Sequence, residues 1–259
     1  MPLARAQTIV SLAGACVIWL ALLGPLWALL AHLSPAAVSR SLSASGALAP
    51  LAVSAEAAGV TLAVLVGFGT PLGYLLARER LPLPRIWETG LLVMLLMPPL
   101  VVGLLLVFMV GPLTLIGRGL ADLHLSATNT FLALVIAEIY EAAPYYVLGA
   151  QAAFAAVDPG LEQQAALLGD RPLRTMLRVT LPLAGPGLAT ALATGWARAI
   201  GAFGAVIIVA YHPYGLPMQI WTTLNEVGLS FALPFALLLL IVALPVPILV
   251  YGWSRHARG

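Results

Sequence analysis

The chain has 259 residues, 61% of them hydrophobic and 8% charged, with a formal net charge of +2 and a mean hydropathy of +1.02. Twelve arginines and ten acids are too few to cover a water-exposed globule of this length, so composition excludes a soluble domain and points to a bilayer. The single cysteine, Cys16, excludes an internal disulfide framework or a cysteine metal site.

A bilayer-crossing helix needs about 20 mainly apolar residues. Six stretches qualify: residues 8–30, 57–77, 89–113, 128–157, 181–211 and 229–253. The expected fold is all-α, a polytopic membrane protein whose single transmembrane domain takes in residues 1–259. The first stretch follows Arg5, but it is over-long for a signal-peptide core and has no clear small-residue cleavage site, so it is expected to be retained. In the third, Pro98 and Pro99 remove two backbone donors mid-span and should kink the helix, with Gly103 a turn later. The fourth carries Glu138 and Glu141, three residues apart on one helical face.

Residues 158–178 cannot span, because Glu162, Asp170, Arg171, Arg174 and Arg178 would all lie in hydrocarbon. Asp158 can cap a short helix there, Pro159 suits its first turn and Gly169 can end it, and a second turn can start at Pro172. Physics alone allows either an interfacial connector or a knob that docks a partner. The fifth stretch is rich in glycine, including Gly185, Gly187, Gly195, Gly201 and Gly204, which suits close helix packing or a path for a bulky solute. Arg198 lies inside it, where an exposed charge costs at least about 2.5 to 3.5 kcal/mol, so it needs either a cavity or a partner, which Glu138 or Glu141 could supply. The remaining connections, 31–50, 119–126 and "YHPYGLPMQIWTTLNEVG", are polar or rich in turn formers and aromatics. His212 reads as an interfacial anchor.

Arginine placement sets the orientation. Arg5, Arg78, Arg80, Arg85, Arg171, Arg174, Arg178, Arg255 and Arg258 lie at one end of the spans, against Arg40 and Arg118 at the other. Both termini and residues 158–178 are therefore expected in the cytoplasm.

The chain has no HExxH, CxxC or GxSxG motif, and it lacks lysine, so no P-loop can be formed. No basic run interleaved with aromatics suggests nucleic-acid binding. Energised work would need a nucleotide site on another subunit.

"EQQAALLGDRPLRTMLRVTLPLAGP" resembles the signature of binding-protein-dependent ABC importer permeases: EAA, three residues, Gly, nine residues, Ile, one residue, Leu-Pro. The register here is Gln163, Gln164, Ala165, Gly169, Val179, Leu181 and Pro182, with Gln163 where the family usually has Glu and Glu162 beside it. "TPLGYLLARERLPLPRIWETGLLVMLLMPPLVVGLLLVF" and "WARAIGAFGAVIIVAYHP" are similar to the molybdate, tungstate and sulfate permeases, so the likeness extends over residues 57–213. Ala202 departs from the Glu that the molybdate and tungstate branch usually carries before Phe-Gly. The resemblance implies a non-catalytic inner-membrane permease that binds no cofactor, with ATP and magnesium on a partner. Its expected partners are two ATPase subunits, a second permease copy, an extracytoplasmic oxyanion-binding protein and membrane lipid. The resemblance also assigns ATPase coupling to Glu162, Gln163, Gln164, Ala165, Gly169, Asp170, Arg171, Pro172, Leu181 and Pro182. Pro98, Pro99, Gly103, Arg198, Gly201, Phe203 and Gly204 are expected at the translocation path or gate. The short stretch ahead of the first span suggests a minimal permease core. Sulfate or another small anion stands as an alternative substrate, and a proton-coupled carrier or a membrane scaffold as alternative functions.

Overall fold

A computed structural model of the protein describes residues 2–43 and 47–256, with the side chains of 11–41, 43 and 47–254. Arg258 lies outside the described residues, as do the side chains of Arg5 and Arg255. Every regular element among the described residues is helical. Helix α1 (Pro2–His32) is followed by the short α2 (Pro35–Ser43) and by α3 (Ala49–Ala77). Next come α4 (Pro84–Leu96), α5 (Pro99–Val110), α6 (Leu115–Asp122) and α7 (Phe131–Ala155). The chain continues through α8 (Pro159–Leu167), α9 (Pro172–Ile200), α10 (Val206–Val209) and α11 (Leu216–Glu226), and ends in α12 (Leu229–Ala243) and α13 (Pro245–His256). Among the described residues, five stretches are long and apolar enough to cross a membrane: Ser11–His32, Ala49–Ala77, Phe131–Ala155, Pro172–Ile200 and Leu229–Ser254.

The expected third span, 89–113, is not one straight helix. Helices α4 and α5 are bent by 116° and count as a sixth span only if taken together. Met97 and Pro98 are extended, with ψ of 132° and 133°. A proline disfavours the helical conformation in the residue before it, and the Pro98-Pro99 pair applies this at two consecutive positions.

Other boundaries move for tertiary reasons. The second span starts at Ala49, earlier than expected, with Pro50 in its first turn, where a missing N–H breaks no helical bond. Its polar Ser54 is buried and accepts the Leu216 N–H at 2.8 Å, a long-range bond that a hydropathy window does not register. The turn at Pro172 is no separate element, since it runs unbroken into the fifth span, which ends at Ile200 instead of reaching 211. The connection after Tyr211 contains α11, packed on α12 and α3.

Both α3 and α9 contain one wide turn. The Thr70 N–H reaches back five residues to the Leu65 carbonyl, and the Leu181 N–H reaches the Met176 carbonyl. Each wide turn is followed at once by a proline, Pro71 or Pro182. A proline ring collides with the carbonyl four residues back, and opening the preceding turn relieves that clash without breaking the helix.

Helix α7 is the central element, packed extensively against both α3 and α9. Their contacts use small side chains: Ala57, Ala58, Ala133, Ala137, Ala142, Ala150 and Ala199 are buried. A Cβ added at Gly149 would lie 2.7 Å from the Ala191 Cβ, so α7 and α9 approach at a distance that only glycine permits. By contrast, Trp19, Trp27 and most of the leucines in Ser11–His32 are exposed, as a lipid-facing helix requires.

Candidate functional site

At one end of the spans, α8 is shaped by its own ends. The Asp158 carboxylate accepts the Gly160 N–H at 2.8 Å, and Pro159 occupies the first turn. The helix stops where Gly169 adopts φ +91°. There the Gly169 N–H donates to the Ala166 carbonyl at 3.0 Å and the Asp170 N–H to the Ala165 carbonyl at 3.1 Å. This pair of bonds closes the helix only around a left-handed residue, which is why glycine stands here.

Glu162 of α8 points into the protein. Its carboxylate accepts from Arg78 Nη2 at 2.7 Å and Nε at 3.1 Å, from Thr180 Oγ1 at 2.9 Å and from Tyr74 Oη at 3.2 Å. The Arg78 and Glu162 side chains are 7% and 12% exposed. Arg78 also donates to the carbonyls of Phe154 and Val157 at 3.2 and 3.1 Å, at the end of α7, where helical partners run out. One carboxylate thus ties the short helix to the end of α3 and the start of α9, and its arginine adds the end of α7. Burial raises the Glu162 pKa, but the hydrogen bonds from Arg78, Thr180 and Tyr74 outweigh it and hold the carboxyl below its ordinary value.

Glu162 therefore points inward, with all of these bonds made within the chain. Ala165 is buried as well. Gln163, Asp170 and Pro172 line a cleft of about 550 Å³ together with Tyr74, Arg78 and Glu162. Gln164, Gly169 and Arg171 are exposed, while Leu181 closes the wide turn of α9 and Pro182 follows it. The outward tip is formed by residues the sequence signature does not single out: Leu167 is 88% exposed, Leu168 89% and Leu173 71%. Arg171, Arg174 and Arg178 are exposed around them. Three leucines in a polar, non-spanning segment were the available clue. Arg78 was legible only as a charge at the end of a span.

Farther along the spans, the two interruptions meet. Residues 201–205 separate α9 from α10. A Cβ on Gly204 would lie 2.4 Å from the Pro99 Cβ, and one on Gly103 would lie 2.9 Å from Ile208 Cβ and 3.0 Å from the Ala205 carbonyl. Gly103 and Gly204 therefore serve close packing between α5 and the break in the fifth span. Phe203 packs on Trp221 with ring centroids 5.5 Å apart, and Gly201 caps α9 at an exposed position. Arg198 pairs with Glu141, not with Glu138: Nη2 donates to Glu141 Oε2 at 3.1 Å. Glu138 instead accepts the Thr61 hydroxyl at 3.0 Å. The other Glu141 oxygen accepts the Ala205 N–H at 3.0 Å, so this buried carboxylate bridges the break in the fifth span.

Beside it, a groove of about 610 Å³ between α7 and α9 is lined by Tyr145, Gly149, Gly187, Thr190, Ala191 and Thr194 among others. Thr190, Thr194 and Arg198 recur every fourth residue, which places them on one helical face. The Arg198 guanidinium stands 4.9 Å from the Tyr145 ring centroid.

Residues 69–257 match the family described as binding-protein-dependent transport system inner membrane component. The chain belongs to this family. It is 36% identical, over 90% of its own length and 85% of the relative's, to a Haloferax volcanii protein named as a probable molybdenum ABC transporter permease. A Thermococcus kodakarensis protein named as a molybdate/tungstate transport system permease is 32% identical, over 73% of this chain and 71% of that one. The fold is shared with the solved structure of a bacterial alginate ABC transporter in complex with an alginate pentasaccharide-bound periplasmic protein, at a TM-score of 0.74 and 17% identity over 98% of this chain and 96% of that one. As an inner-membrane component of a transport system, the chain is a permease subunit, which sets aside the secondary-carrier and scaffold alternatives.

Proposed function

We propose that the chain forms the membrane path of an ATP-driven importer for molybdate- or tungstate-type oxyanions. Two copies pair around the path, with two ATPase subunits on the cytoplasmic side and an oxyanion-binding protein on the other. Both termini and α8 lie in the cytoplasm, in keeping with the arginine distribution. The oxyanion class is supported by the similarity to relatives named for molybdenum, molybdate and tungstate.

The observation that carries coupling is the attachment of α8 to three spans through Glu162 and Arg78, with Leu167, Leu168 and Leu173 turned outward. A partner that grips the leucines moves α8, and the Glu162 cluster passes the displacement to α3, α7 and α9. ATP and magnesium sit on the ATPase, whose closure pulls residues 158–178 and opens the path outward, while hydrolysis resets it. The adjoining breaks at Pro98-Pro99 and at 201–205 give the path two jointed walls. Arg198 offers the passing dianion a positive charge within the span.

The test is ATP hydrolysis by the reconstituted permease and ATPase in proteoliposomes, with and without molybdate-loaded binding protein. Stimulation by molybdate, lost in Gly169→Pro together with ATPase co-purification, is the expected result. A wild-type complex that holds no ATPase, or whose turnover ignores every oxyanion, defeats the proposal.

A further inference from the structure

Arg198 presents a conflict in its setting. It stands one turn beyond Thr194 on the face that lines the α7–α9 groove, its side chain 36% exposed, while the facing Glu141 is only 4% exposed. A lone guanidinium in so apolar a wall would hold a dianion tightly, because Coulomb attraction grows as the surroundings exclude water. Passage requires a contact favourable enough to enter and weak enough to leave. Glu141 supplies an opposing charge at 3.1 Å from Arg198 Nη2. Its second oxygen is occupied by the Ala205 N–H, which fixes the carboxylate on the far side of the break. The carboxylate therefore cannot swing away without releasing that backbone bond. Glu138, one turn back, is engaged with Thr61 and leaves the guanidinium to Glu141.

We propose that Glu141 is a positioning residue that sets the strength of the oxyanion contact at Arg198: it fixes the guanidinium against Tyr145 and offsets its charge, so that the permease releases the ion it passes. This inference rests on the proposed oxyanion-import function. Glu141 does not touch the ion and acts only through Arg198. A purely structural ion pair would support the fold without affecting anion retention.

The decisive variant is Glu141→Gln in the full complex. Glutamine keeps the length of the side chain and an oxygen for the Ala205 N–H, but removes the opposing charge. Retention of radiolabelled molybdate by the permease–ATPase complex, without the binding protein, should tighten roughly tenfold, the scale on which close charge pairs couple. Transport turnover should fall by a similar factor as release slows. With Arg198→Gln already present, Glu141→Gln should change neither quantity, since the two substitutions report on one interaction. If Glu141→Gln prevents assembly, Glu141→Asp, which keeps the charge and loses reach, should give an intermediate tightening. Unchanged retention in the assembled variant, or tightening that persists without Arg198, overturns this inference and leaves the importer assignment intact. A wild-type complex whose turnover no oxyanion stimulates overturns both.

Discussion

Pro99 and Gly204 meet where two interrupted helices touch, with room for no atom between them: a methyl on Gly204 would lie 2.4 Å from the Pro99 Cβ and 3.2 Å from the Leu100 nitrogen. Gly204→Ala should push α5 away from the 201–205 break and cost about 1–3 kcal/mol, as overpacking does. A thermal melt in nanodiscs reads this directly. Gly59→Ala, where nothing lies within 4 Å of the added methyl, is the matched control and should melt no lower than the wild type. Equal melting of wild type and Gly204→Ala would mean that the two breaks are not held together.

Among the described residues, Arg78 is the cation that pairs with Glu162, whose other partners Tyr74 and Thr180 are neutral hydroxyls. Arg78→Ala should strand a nearly buried carboxylate and lose about 3 kcal/mol. It should also free the Phe154 and Val157 carbonyls from their side-chain donor. The expected phenotype is ATP hydrolysis no longer stimulated by the loaded binding protein, with the ATPase still bound. Retained stimulation in a well-assembled Arg78→Ala complex would remove the cluster from the coupling route.

The Glu162 cluster also carries a pH signature. Its folded pKa is lowered, so the stabilisation is complete above the ordinary glutamate value of about 4.3 and is lost as pH falls through the lower folded value. Melting temperature in nanodiscs should therefore decline on the acid side of that range. Glu162→Gln should be less stable at neutral pH and should lose part of the decline. Parallel acid limbs in both proteins would assign the effect to other carboxylates.

Leu167 and Leu168 are too exposed to contribute to folding of the isolated chain. Leu167→Ser with Leu168→Ser should leave the melt within about 0.5 kcal/mol of wild type, as surface changes do. Co-purification of the ATPase should nevertheless fail. A variant that still captures it would place the docking contact elsewhere, with the exposed arginines the next group to substitute.

Hydropathy alone determined that this is a helical membrane protein, because the bilayer requires about 20 apolar residues per span and the chain repeats that length. The charged segment at 158–178 was equally legible, since its six ionisable side chains cannot lie in hydrocarbon. Capping chemistry placed the ends of α8 at Asp158 and Gly169, because those devices act within a few residues of sequence. The direction in which Glu162 points was not legible, for its partners Tyr74 and Arg78 come from a helix more than eighty residues away in sequence. Nor was the choice of Glu141 over Glu138 as the partner of Arg198. Both lie on one face of α7, and only the packing of α3 and α9 on it gives one carboxylate to Thr61 and the other to Arg198. The Pro98-Pro99 pair announced a kink, but a bend as sharp as 116° depends on what receives the displaced half-helix. That receiver is the 201–205 break, about a hundred residues later in the chain, and its glycine leaves the space that the proline enters.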